Sequence, residues 1–258
     1  MDTDRIIQYM SQMGIALDEA QAAAFARYYE MLVETNKVMN LTAITEPEEV
    51  LVKHFADSVS PGAGFGQKGA ADPGRSGANE QLVFPSPEDA SLLDIGTGAG
   101  FPAIPLKIAF PSLQVTMIDS LGKRVGFLER VIAELGLSGI RAFHGRAEDL
   151  ARDAGHRESY DYVVSRAVAH MSVLAEYCLP YVRCGGYFIA YKSQEFLNGT
   201  EREESANAVG LLGGTIEEVR QICLPDSDAQ RCLVFIKKEK PCPKKYPRKA
   251  GLPSKEPL

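Results

Sequence analysis

Two carboxylates 25 residues apart, Asp94 and Asp119, each close a short apolar run, and the first leads into a glycine-rich turn in LLDIGTGAGFPAIP, residues 92–105. Leu92, Leu93 and Ile95 read as a buried strand. Gly96, Gly98 and Gly100 turn the chain, and Pro102 and Pro105 suit the first turn of a helix, where an N–H would be orphaned anyway. Strand, glycine turn and helix in that order place a nucleotide-like ligand at the carboxyl end of a parallel sheet. A dinucleotide fingerprint requires G-x-G-x-x-G. Here the glycines fall at every second residue, and Phe101 stands where the third glycine belongs, offering an apolar face to the ligand. Asp119, ending the second strand, can accept hydrogen bonds from both hydroxyls of a ribose. It can equally cap the helix whose stripe starts at Leu121, a role open to Ser120 as well.

The loop resembles the S-adenosylmethionine site of class I methyltransferases, and the later strand ends are read with that chemistry in view. After the third strand, Gly145-Arg146-Ala147-Glu148 offers a backbone N–H and a carboxylate that can read an adenine edge, although Glu148 or Asp149 can simply begin a helix. The fourth strand ends in Ser165-Arg166-Ala167, where such sheets face the transferred methyl. The (Asn/Asp)-Pro-Pro-(Tyr/Phe) turn used on exocyclic amines is not there; Leu179-Pro180-Tyr181 lies at a helix end without the leading polar residue. The only Pro-Cys pair, Pro241-Cys242, lies beyond the last strand, so no thiol is placed to attack a pyrimidine ring. What remains is a ring nitrogen such as guanine N7, which presents a lone pair and needs neither a covalent nucleophile nor a base. Alignment and electrostatics suffice. Arg166 suits that task, since it can bind a phosphate or base edge and never acts as a base; its other reading is a structural salt bridge. His54 and Asp57, at i and i+3, either face the cleft together or hydrogen-bond across domains.

The elements that must position these groups follow from periodicity. Residues 1–60 read as a helical segment, with one stripe at Ile6, Ile7, Met10 and Met13 and another at Phe25, Tyr29 and Leu32. Asp18 is the expected N-cap of the second helix, and a third runs from Pro47 to Phe55. Residues 61–90 hold six glycines and four prolines and read as a linker or surface loop. From Ser91 strands alternate with helices: strands at 114–118, 140–143, 160–164 and 187–191, helices from Leu121, at 171–181 and at 195–212. The alternation predicts an α/β fold with a doubly wound, mostly parallel sheet. Strands at 214–222 and 231–236 predict an antiparallel edge. The domains expected are a helical segment (1–60), the linker (61–90), a methyltransferase domain (91–240) and a basic tail (241–258).

The 258-residue chain carries a net charge of −6, yet Lys237 to Leu258 holds eight basic and two acidic residues. Such asymmetry points to a tail that contacts something anionic, or to a solubilising one. No run has the length to span a bilayer and the N-terminus shows no export signal, so a cytoplasmic protein is expected. Five cysteines without C-x-x-C or metal spacing read as reduced thiols, with no metal site.

In Asn40-Leu41-Thr42-Ala43-Ile44, His54-Phe55 with Asp57-Ser58, the Asp94 to Pro105 loop, Asp119-Ser120-Leu121 with Lys123-Arg124, Gly145-Arg146-Ala147-Glu148, Ser165-Arg166-Ala167-Val168-Ala169, Lys244-Lys245-Tyr246-Pro247-Arg248 and Gly251-Leu252-Pro253, the chain resembles the bacterial ribosomal RNA small-subunit methyltransferase G family, also called glucose-inhibited division protein B. The resemblance implies a class I, Rossmann-like methyltransferase that uses S-adenosylmethionine to methylate guanine N7 in 16S rRNA. Cofactor contacts would fall on Gly96, Phe101, Asp119, Ser120, Leu121, Ala147, Glu148 and Arg166, with Gly98 and Gly100 shaping the loop. Two features depart from the family pattern: a long 61–90 stretch, and Ala103 where glycine is common. Lys123, Arg124, Arg146, Lys192, Lys244, Lys245, Arg248 and Lys249 would hold RNA phosphates, and Tyr246 would stack on a base. Lys123 and Arg124 also fit a plain exposed helix face. The expected partner is 16S rRNA or the small ribosomal subunit, met by a monomer. A small-molecule methyltransferase on the same fold and a non-catalytic RNA-binding protein are the alternatives.

Overall fold

The structure, a computed structural model, describes residues 1–63, 84, 89–166, 169–228 and 230–258. Among the described residues, seven strands form one sheet: β1 (Ser91–Ile95), β2 (Gln114–Asp119), β3 (Ile140–His144), β4 (Tyr160–Ser165), β5 (Val182–Ser193), β6 (Gly214–Cys223) and β7 (Gln230–Lys238). Their order is β3-β2-β1-β4-β5-β7-β6. The pairs among β1 to β5 are parallel, and β7 runs antiparallel to both neighbours. The last two strands are thus antiparallel as expected, but β7 enters between β5 and β6 and leaves β6 at the edge. Its burial explains the insertion. Cys232 to Ile236 are all buried, and a run apolar on both faces belongs inside a sheet.

Helices α1 (Thr3–Gln12), α2 (Glu19–Met39), α3 (Pro47–Val50) and α4 (Asp57–Val59) make the N-terminal segment, with a π-helical stretch, Leu51–Ala56, joining the last two. The helix expected to end near Phe55 therefore continues to Val59 through a wider turn. Asp18 caps α2 with a reciprocal bond to Gln21. Its inner face carries Phe25, Tyr28 and Leu32; Tyr28 is the deeply buried tyrosine, and Tyr29 lies at the margin. These side chains join Phe55, Leu92, Ile104 and Met117 in one core on one face of the sheet. Most of residues 61–90 lie outside the described residues, but Phe84 is buried against Phe110 and Tyr162.

The other helices are α5 (Ala103–Ala109), α6 (Gly122–Glu134), α7 (Ala147–Leu150), α8 (Met171–Cys178), α9 (Glu195–Asn198), α10 (Glu201–Leu211) and α11 (Leu252–Lys255). The helix expected over 195–212 is split at Gly199, and the one over 171–181 tightens to a 3-10 turn at Leu179–Tyr181, where Pro180 cannot supply an N–H. Register brings the carboxyl ends of four strands level: Ile95 pairs with Ile118, Ile118 with Phe143 and Asp94 with Val164. The crossovers diverge between β1 and β4, which opens a crevice above those ends.

Candidate active site

The turn after β1 shapes one wall of that crevice. Gly96 and Gly98 have φ of 72° and 62°, and a Cβ on either would meet nothing within 4 Å. The left-handed backbone favours glycine there, and the space beside it is open for a ligand. Gly100 serves packing instead, since its Cβ would fall 2.5 Å from Ile104 Cδ1. Tyr28 reinforces the loop by donating from its hydroxyl to the Ala99 carbonyl.

Asp119 fastens the loop to β2. Its Oδ2 accepts from Gly98 N–H at 2.9 Å and its Oδ1 from Leu121 N–H at 2.8 Å. The capping role and the placement beside the glycine turn therefore coexist, and each carboxylate oxygen keeps capacity for a further donor. Asp94, fully buried behind the turn, accepts from Ala103 N–H at 3.3 Å through Oδ2. Its Oδ1 and the Thr97 hydroxyl are, among the described residues, the buried side-chain oxygens without a hydrogen bond of normal geometry. Burial pushes the Asp94 carboxyl up to about 7, while Thr97, the Ala103 N–H and Arg166 pull the other way.

A cavity of about 390 Å³ opens at these strand ends, within the range of small-molecule sites. Gly96, Ser120, Ala147, Glu148, Ser165 and Tyr177 contribute to its wall. Of the residues expected at a cofactor, Gly96, Ser120, Ala147 and Glu148 thus meet at one cavity, with Gly98 and Asp119 bonded behind it. Leu121 stands 51% exposed at the start of α6, an apolar surface near Ser120. The donor set fits a nucleoside: carboxylates for hydroxyls or an amine, an apolar face, and open space where glycine Cβ atoms are missing.

Phe101 and Arg166 are placed differently. Neither belongs to the cavity wall. The Phe101 ring stacks on His54 at 4.5 Å between centroids, with the Arg166 guanidinium 5.0 Å from its centroid. Arg166 Nη1 donates to Asp57 Oδ2 and to the Lys53 carbonyl, both at 3.1 Å, and its Nη2 lies 3.2 Å from His54 Nδ1. His54 and Asp57 accordingly do reach across from the N-terminal segment to β4, and what they hold is the arginine. Burial and the adjacent Arg166 lower His54 to about 4, so the ring is neutral. Ala167 and Val168, next in the expected motif, lie outside the described residues.

The expected RNA cations divide. Lys123, Arg146, Lys244, Lys245 and Lys249 are exposed, and Arg124 leans to Asp119 Oδ2 at 3.5 Å. Three expectations are corrected. Lys192 is half-buried and donates to Glu201 and to the Ala169 carbonyl. Arg248 grips Glu176, a fully buried carboxylate, through Nε and Nη2. Tyr246 is buried and cannot present its ring to a base. The basic stretch is not a loose tail: Arg157 donates to the carbonyls of Cys242 and Tyr246, and Arg152 to that of Pro247. Sequence reasoning missed Tyr177, Ser254 and the role of Gly251 at the cavity wall; only the Gly251-Leu252-Pro253 motif hinted at the last.

A family model described as "rRNA small subunit methyltransferase G" matches residues 21–78 and 81–222. Curated relatives named ribosomal RNA small subunit methyltransferase G agree along the whole chain. The protein of Lachnoclostridium phytofermentans is 48% identical over 100% of this chain and 98% of its own. That of Alkaliphilus metalliredigens is 46% identical over 96% of this chain and 95% of its own. Among solved structures, Aeropyrum pernix fibrillarin with bound S-adenosyl-L-methionine is similar at 14% identity and a TM-score of 0.49, over 60% of this chain and 70% of that one.

Proposed function

The chain belongs to the rRNA small subunit methyltransferase G family, and on that premise we propose that this S-adenosylmethionine-dependent methyltransferase acts on N7 of a guanine in 16S rRNA. The observation that carries the reading is the convergence of Gly96, Ser120, Ala147 and Glu148 on one cavity, with Asp119 bonded to Gly98 and Leu121 behind it. The cofactor supplies an electrophilic methyl on a sulfonium. Asp119 and Glu148 are the residues that would hold its hydroxyls and amine, and the open face of Gly96 and Gly98 leaves it room.

The acceptor favours the same reading. Guanine N7 carries a lone pair in the plane of the ring, so the protein need only hold the base in line with the methyl and exclude water. Arg166 is a positioning group suited to this, because it stays charged and takes no proton. The base must leave its stack to enter such a site. Exposed Lys123, Arg146, Lys244, Lys245 and Lys249 supply phosphate contacts that fix the RNA without reading its sequence. No helix among the described residues is long and apolar enough to cross a membrane.

Mapping modified nucleotides in 16S rRNA from cells with and without this protein tests the proposal. Loss of one 7-methylguanosine, restored by the purified protein and S-adenosylmethionine, is expected. An unchanged modification pattern rejects the assignment to rRNA. Methyl transfer to intact subunits and to naked RNA in parallel identifies the substrate form.

A further inference from the structure

Gly251 and Ser254 belong to the last eight residues of the chain, yet they stand in the wall of the same cavity as Gly96, Ser120 and Glu148. Anchors spaced along the segment hold it there. Arg157 and Arg152 bind three of its carbonyls at 2.9 Å each. Glu176 takes both the side chain and the backbone N–H of Arg248. Gly251 N–H then donates to Glu148 Oε1 at 2.7 Å, and Ser254 Oγ lies 2.6 Å from the Tyr177 hydroxyl. Gly251 itself has φ 81°, the left-handed turn that brings its N–H onto Glu148. Glu148 is thus both a cavity-wall carboxylate and the acceptor that pins the C-terminal segment.

We infer that residues 242–255 form a strap that completes the cofactor pocket, with Gly251 and Ser254 as cofactor-facing wall residues, so that cofactor binding and strap docking strengthen one another. The inference rests on reading this cavity as the S-adenosylmethionine site. The coupling is reciprocal by linkage: whatever holds the strap down tightens the cofactor, and the bound cofactor holds the strap down by the same factor. Lys244, Lys245 and Lys249 on the strap are exposed, which makes its opening measurable by trypsin.

Calorimetry with S-adenosylhomocysteine and limited trypsin cleavage together test this. Ser254 is exposed, so Ser254→Trp is expected to fold, with native circular dichroism, while setting a bulky ring at the cavity wall in place of the hydroxyl bonded to Tyr177. Affinity should fall at least ~10-fold, which is roughly 1.4 kcal/mol. Lys255→Ala, at an exposed side chain outside the cavity wall, should stay within about threefold of the parent. S-adenosylhomocysteine should slow cleavage at Lys244, Lys245 and Lys249 in the parent protein. Full affinity in Ser254→Trp, or cleavage indifferent to the ligand, overturns the strap as a pocket wall. If the parent protein itself bound no S-adenosylhomocysteine, the cavity assignment beneath the inference would fall instead.

Discussion

Arg166 points Nη2 at Nδ1 of His54 across 3.2 Å, joining the end of β4 to the N-terminal helical segment. His54 Nδ1 also lies 3.2 Å from the Lys53 carbonyl, and its Nε2 lies 2.8 Å from Thr42 Oγ1, so both ring nitrogens have partners in the neutral ring. The histidine is a neutral prop for the arginine. Asp57 supplies the negative charge, and Phe101 packs against the His54 ring and the Arg166 guanidinium.

This geometry has a pH consequence. The folded state holds His54 near 4, below the ordinary value of 6.5. Between those values the unfolded chain binds the extra proton, so stability falls as pH drops through the window. The stability advantage of the parent over His54→Gln should be full above about pH 6.5 and shrink toward pH 4, by up to ~3 kcal/mol. Urea unfolding across that range measures it, and a gap independent of pH would show that His54 is not held neutral.

Asp94 has the opposite sign. Its folded value near 7 lies above the ordinary 3.8, so the native state binds more protons across that window and loses stability as pH rises through it. Asp94→Asn, which mimics the protonated acid, should gain on the parent between pH 4 and 7 and hold a constant lead above that. Tm measured for both proteins at each pH tests this; parallel profiles would refute it.

Gly98 has open space beside it, so its substitution separates backbone strain from ligand exclusion. Gly98→Val at φ 62° costs about 1–2 kcal/mol of stability. It should leave a folded protein that no longer binds S-adenosylhomocysteine in calorimetry. Retained affinity would move the cofactor away from this loop.

The basic residues near the C-terminus should split into two classes under mutation. Replacing Lys244, Lys245 and Lys249 together by alanine should leave stability unchanged and reduce the slope of log affinity for RNA against log salt by about 2. Arg248→Ala should instead cost about 3 kcal/mol, because Glu176 is fully buried and loses its charged partner. Denaturation curves and salt titrations distinguish the two, and a stable Arg248→Ala protein would show that the pair is dispensable.

Much of the sheet was legible because its signals are local. Leu92 to Ile95 announce a strand, glycines mark the left-handed turn, and Asp18 and Gln21 write a capping box within four residues. Asp119 was legible as a strand-end carboxylate, and its two backbone donors lie within the loops beside it. The π-helical stretch after Val50 and the break at Gly199 were not, because periodicity is too coarse to resolve one added or lost residue per turn.

The sequence alone determined the strand–turn–helix unit, the alternation that builds the sheet and the family the chain belongs to, because φ preferences and apolar spacing act over a few residues. Tertiary structure decided which cations are exposed and which are tied, where Arg166 points, and that Gly251 and Ser254 stand in the wall of the cavity above β1 and β2. Each of those depends on a partner that only folding brings near: Glu176 lies 72 residues from Arg248, Glu148 103 from Gly251, and His54 112 from Arg166. A charge in sequence carries no record of the carboxylate it will meet.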